Sequence, residues 1–163
     1  MTAAWQDDGS DGGTWVEAAP FRAHLRHLMS VSGLGSSSVA LLVGISPRCA
    51  ARLLHGRDGR PLRRISPEVA RKLLLLTPAD ARAVQRCTVP AGATVRHLRR
   101  LEQAGWSGPE LAAAVGLSHA DVTRLLTGAS SSCSQLVALR AAAEVSELLS
   151  PVSGPATTDR AAA

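Results

Sequence analysis

The sequence predicts an all-α chain of two tandem units, and three observations predict it. Residues 107–128, SGPELAAAVGLSHADVTRLLTG, have the pattern of two short helices joined by a tight turn at Val115-Gly116-Leu117. The same pattern occurs 72 residues earlier. There Ala40, Val43, Gly44 and Ser46 match Ala112, Val115, Gly116 and Ser118, and Arg52-Leu53-Leu54 match Arg124-Leu125-Leu126. Composition is the third. Hydrophobic residues make up 45% but are chiefly Ala, Leu and Val, with one Phe, no Tyr and three Trp. That suits close helical packing and lacks the aromatic and β-branched alternation of a sandwich or barrel. At 163 residues the chain can hold two very small domains. Each is near the lower size at which one core suffices.

Residues 1–20 are rich in Gly, Asp and Ser and predict a tail without fixed structure. Trp15 has two readings there, a free side chain or one docked on the core. Asp7, Asp8, Asp11 and Glu17 either form a solvated face, the simpler reading, or compete for a basic surface elsewhere in the chain.

The first unit spans 21–86. Phe21, Leu25, Leu28 and Met29 recur at helical spacing, and Gly33-Leu34-Gly35 ends that helix. Residues 36–43 form the next helix, Gly44-Ile45 turns the chain, and Ser46-Pro47 is an N-cap followed by a first-turn proline. The helix from Pro47 to about Leu54 has Pro47, Arg48, Ala51 and Arg52 outward. Residues 55–64, HGRDGRPLRR, are the most charged stretch and predict an arginine-rich wing, with a solvated basic loop as the plainer alternative. Gly59-Arg60-Pro61 matches the centre of an AT-hook, without the usual arginine before it. Ser66-Pro67-Glu68 starts a helix over 69–76, and Thr77-Pro78-Ala79-Asp80 starts a short one ending near Val84.

Residues 87–93 contain Pro90 and Gly92 and predict the connection to the second unit, which spans 87–149. Its first helix runs 95–104. Ser107 with Glu110, and Ser118 with Asp121, are start signals for the next two helices. Ser118, His119, Ala120, Thr123 and Arg124 form the exposed side of the second. A last helix over 134–149 offers Leu136, Val137, Leu139, Val145 and Leu148 for burial, and 150–163 predicts a frayed tail.

The formal charge is +5 and the sequence pI about 10.4, which favours a polyanionic partner. Distribution sharpens this. Residues 20–86 carry twelve cations against three carboxylates, a surplus of nine, whereas 87–149 carry five of each. The basic surface therefore belongs to the first unit. Cys49, Cys87 and Cys133 are far apart and odd in number, which argues against a zinc site or a disulfide framework and suits a reducing cytoplasm. The acidic, Gly-rich start does not have the pattern of a signal peptide. The longest apolar run, Leu73 to Leu76, is far too short for a membrane span. The five histidines have no spaced carboxylate partner, and neither a phosphate loop nor a dinucleotide fingerprint is present, so the sequence predicts no enzyme, cofactor or metal.

The alanine-x3-glycine-x5-valine-x2-leucine spacing resembles the helix-turn-helix of DNA-binding proteins, individually of the Cro/C1 repressor class. The segments GISPRCAARLLHGRDGRPLRRISPEVARKLLLLTP and TVRHLRRLEQAGWSGPELAAAVGLS together resemble small tandem helix-turn-helix proteins encoded by actinobacteria and their phages. The resemblance covers roughly residues 21–149. It implies two helix-turn-helix units of about four helices each, binding to double-stranded DNA, and transcriptional regulation, with contacts on Ser46, Pro47, Arg48, Ala51 and Arg52. Arginines at 48 and 52 lie four apart on one helical face, and either can read guanine or touch phosphate. The wing residues Arg57, Arg60, Arg63 and Arg64 fit phosphate or minor-groove contact. Ser118, His119, Ala120, Thr123 and Arg124 are the equivalents in the neutral unit, which either reads bases or serves a homodimer or protein partner. One rival class is an assembly or adaptor protein, such as a phage small terminase subunit or an RNA-polymerase-binding factor, and a second is a non-specific nucleoid binder.

Overall fold

The computed structural model describes residues 14–57 and 59–150. Among these the chain is mostly helical, with nine helices and four short strands, and divides into a unit ending at Arg86 and a unit beginning at Cys87. Residues 1–13 and 151–163 of the two expected tails, and Asp58 of the expected wing, lie outside the described residues.

The first unit runs β1 (Val16–Glu17), α1 (Ala18–Ser32), α2 (Ser36–Val43), α3 (Pro47–His55), β2 (Arg64–Ile65), α4 (Pro67–Leu75) and α5 (Pro78–Ala83). Local chemistry sets most boundaries. Gly44 ends α2 at φ 79, a left-handed conformation that costs an L side chain, and its amide bonds the carbonyls of Ala40 and Leu41. The Ser46 hydroxyl accepts from the Cys49 amide at 3.2 Å, and Pro47 supplies the first turn of α3. Thr77 and Asp80 close a reciprocal cap on α5. Leu25, Leu28, Val39, Ala40, Leu53 and Leu73 are fully buried among these helices. Each large apolar side chain removed from water contributes about 1.5–3 kcal/mol. From α1, His24 Nε2 lies 3.0 and 3.2 Å from the carbonyls of Leu73 and Leu76, so that nitrogen carries the proton and ties α1 to the end of α4.

The second unit runs β3 (Thr88–Pro90), α6 (Gly92–Gln103), α7 (Gly108–Val115), α8 (His119–Leu126), β4 (Ser132–Ser134) and α9 (Gln135–Leu149). Its core gathers Leu98, Leu101, Leu111, Val115, Val122, Leu125, Val137, Ala141 and Val145. Gly116 ends α7 at φ 73, as Gly44 ends α2. The Glu110 carboxylate accepts from both the amide and the hydroxyl of Ser107, at 2.7 and 2.6 Å.

Both units share one order as far as the second strand, namely strand, helix, helix pair, strand; two helices follow in the first unit and one in the second. In each, the strand before the first helix pairs antiparallel with the strand that follows the helix pair. Val16 lies opposite Ile65 in one unit, and Val89 opposite Cys133 in the other. These ribbons correct two sequence expectations, and burial corrects a third. Residues 16–20 belong to β1 and α1 rather than to a tail, because β2 offers β1 a partner. Residues 88–90 are the first strand of the second unit rather than a connection. Within the last helix, Val137 and Val145 are buried, but Leu148 is exposed.

Candidate nucleic-acid interface

The residues expected to meet DNA lie on α3 and on the loop that follows it. On α3, Ser46, Arg48 and Ala51 are exposed, while Pro47 and Arg52 are half-buried. Arg52 is close enough to Cys49 for its guanidinium to oppose, in part, the upward push that burial exerts on that thiol's pKa. Arg48 therefore projects from the helix, whereas part of Arg52 is covered.

Residues 56–63, the stretch expected to form the wing, connect α3 to β2. Arg57 and Arg60 exchange both backbone hydrogen bonds, at 3.0 and 2.9 Å, which closes a tight turn around Gly59 at φ 74. Gly56 begins the wing at φ 78 and ψ −158. That combination is closed to other residues. A Cβ there would also collide with the Arg60 carbonyl. The arginines at 57, 60, 63 and 64 are all exposed.

One residue that sequence reasoning missed holds this arrangement together. Arg22, on α1, donates from Nε to the Leu53 carbonyl at 2.7 Å and from Nη2 to the Leu62 carbonyl at 2.6 Å. Leu53 O belongs to the last turn of α3, where carbonyls lose their intrahelical partners. One guanidinium thus fixes the end of α3 to the base of the wing. Nothing local marks Arg22, because its partners lie 31 and 40 residues away.

Beside the wing is an open groove of about 920 Å³, lined by Trp15, Glu17, Arg22, Arg60, Arg63 and Arg64 among others. Trp15 is 55% exposed, so its indole lines this groove instead of entering the core.

In the second unit Ser118, His119, Ala120, Thr123 and Arg124 are all exposed on α8. Their surroundings differ from those on α3. The His119 ring packs on the first residue of α7, where a Cβ at Gly108 would strike it. Arg124 sits 3.6 Å from Asp121. Arg140, from α9, lies over the turn, where a Cβ at Gly116 would meet its guanidinium, and its Nη1 donates to the Val115 carbonyl at 3.3 Å. Gly44, the matching turn residue in the first unit, has nothing comparable above it. The cations of α6 are Arg96, Arg99 and Arg100. Arg96 and Arg100, after desolvation, push the pKa of His97 below its usual value.

Among the described residues no group of three His, Cys, Asp or Glu could hold a metal ion, and no helix is long and apolar enough to cross a membrane. No protein family, curated protein or solved structure matches the chain.

Proposed function

We propose that the chain is a sequence-specific double-stranded DNA-binding protein and a transcriptional regulator, built from tandem helix-turn-helix units of the kind found in actinobacteria and their phages. It works on the nucleoid. The first unit supplies affinity: α3 enters the major groove with Arg48 toward the bases, and Arg57, Arg60, Arg63 and Arg64 hold phosphates or the minor groove. The observation that carries the reading is the exposure of Arg48 on α3 and of four arginines in the loop that follows, counting Arg64 at its end, with that loop tied to α3 through Arg22. Backbone affinity is mainly phosphate neutralisation, so the surplus of cations in this unit decides where the duplex docks.

Selection from a random duplex library tests it, and the retained sequences should share a short motif. In binding assays Arg48→Ala should relax preference at one base pair. The double substitution Arg63→Ala with Arg64→Ala should weaken binding to every duplex and reduce the salt slope by about 0.9 per lost phosphate contact. Recovery of unselected sequence, or identical behaviour of the two variants, would sink the division between reading and anchoring.

A second reading is an assembly or adaptor protein. The neutral second unit and the exposed Leu148 and Leu149 at the end of α9 favour it. Size in solution separates the two, since a large ring fits assembly and a monomer or dimer fits regulation.

A further inference from the structure

Trp15 and Glu17, at the ribbon of β1 and β2, take no part in the duplex reading, yet they line one groove with wing arginines that do. Side chains alternate across a strand. Ile65 is buried and its partner Val16 half-buried, so this pair faces the core. Glu17 therefore takes the opposite face, directly across from Arg64, and Trp15, just before the strand, lines the same groove. The groove adds Arg60 and Arg63 on one side and the anchored Arg22 beneath. Among the described residues no carboxylate forms an ion pair with Arg60, Arg63 or Arg64. An exposed indole, cations and a carboxylate thus line one concavity of a size suited to a bound ligand.

We infer that this groove holds unpaired nucleotides, so that the chain's target is a duplex with an adjoining single strand. Intact duplex keeps its base faces stacked on one another, which leaves an indole nothing to stack on. A single strand running on from the duplex offers free base faces to Trp15, and its phosphates continue the run that Arg60 and Arg63 hold at the duplex edge. Glu17 decides between a nucleotide and a plain polyanion. Its carboxylate repels bare phosphate but accepts a hydrogen bond from a base amino group, as carboxylates do from cytosine N4. The ribbon of the second unit makes the contrast: Thr88–Pro90 and Ser132–Ser134 bring neither aromatic nor charge. This inference deepens the duplex-binding reading and rests on it for the adjoining double-stranded part.

The test uses the full chain with three labelled probes: a blunt 20-bp duplex, the same duplex with an eight-deoxycytidine overhang, and free d(C)12, at one fixed salt concentration. The overhang should tighten binding by about tenfold, the scale of one stacked base. Trp15→Ala should erase that gain and leave the blunt duplex unchanged, while Trp15→Phe, which keeps an aromatic face and guards against misfolding, should restore part of it. Equal affinity for blunt and overhung duplexes overturns the single-strand site and leaves duplex binding standing. Equal weakening of both by Trp15→Ala also overturns it, since the indole would then touch paired DNA. Trp15-dependent binding of d(C)12 without any affinity for the duplex supports the groove and overturns the duplex reading.

Discussion

In the first unit the turn glycine Gly44 faces open space, whereas in the second Arg140 covers Gly116 and His119 packs on Gly108. The two helix pairs are otherwise alike in length, turn and buried face: α2 and α7 each have eight residues, and both turns use a left-handed glycine. What differs is the surface of the pair and what surrounds it. The loop after α3 occupies residues 56–63 and carries four arginines, counting Arg64 where it enters β2. The loop after α8 occupies only 127–131 and carries no charge. Arg48 is matched by Ala120, 72 residues on. One backbone plan is thus dressed in two ways: one leaves a cationic surface around the helix pair, the other closes it with the protein's own side chains. A shared fold does not carry a shared surface.

The sharpest way to break this comparison is at the two glycines that follow the helix pairs. Gly56 and Gly128 occupy matching positions and both have φ 78. A methyl group on Gly128 meets open space, so Gly128→Ala should cost only the left-handed conformation, about 1–2 kcal/mol. On Gly56 it meets the Arg60 carbonyl in a region closed to other residues, so Gly56→Ala should cost about 3 kcal/mol or more and disorder the wing. Chemical denaturation measures the costs, and amide exchange at Arg57 and Arg60 locates them. Equal costs would mean that the wing is not held as described.

A smaller contrast sharpens it. Each unit sends an arginine from its first helix to the end of its helix pair: Arg22 to Leu53 O, and Arg99 to Leu126 O at 3.2 Å. The Arg22 bonds are part-buried and double, while the Arg99 bond is single and exposed. Arg22→Ala should therefore destabilise its unit by about 1.5–3 kcal/mol per lost charged hydrogen bond, and Arg99→Ala by well under 1 kcal/mol. Thermal unfolding of the two variants gives the difference. Arg22→Ala should also weaken duplex binding, because it frees the wing from α3.

How much of this was legible follows from the range of each signal. Helix starts were legible because their chemistry is local: Ser46-Pro47, Thr77 with Asp80, and Ser107 with Glu110 carry caps within four residues. The turn glycines were legible for the same reason. The strands were not. A two-residue strand such as Val16–Glu17 has no alternation to detect, and its partner lies nearly fifty residues away. Long-range contacts hid most of the candidate site as well. Arg22 resembles any other arginine on a helix, and the cover that Arg140 gives Gly116 depends on a helix 25 residues further on. The cationic stretch 55–64 was visible, but the groove it makes with Trp15 needs the β1–β2 pairing that the sequence conceals.

The smallest expected effect separates the helix pairs by pH. α2 starts at Gly35 without a side-chain cap, whereas α7 starts on Ser107 with Glu110 folded back. The hydrogen bonds from the Ser107 hydroxyl and amide hold the Glu110 carboxyl below its usual pKa. A carboxyl lowered in the folded state adds stability above its unfolded pKa, and that stability fades as pH falls through the folded one. The start of α7 should therefore loosen on acidification below the ordinary glutamate range, while the start of α2 should not respond. Glu110 is fully exposed, so the change is local fraying rather than unfolding. Amide chemical shifts from Ser107 to Leu111 followed from pH 6 to pH 3 would show it, and Glu110→Gln should flatten that response. Matching acid responses at Gly35 and Ser107 would mean that the cap is not what distinguishes the two starts.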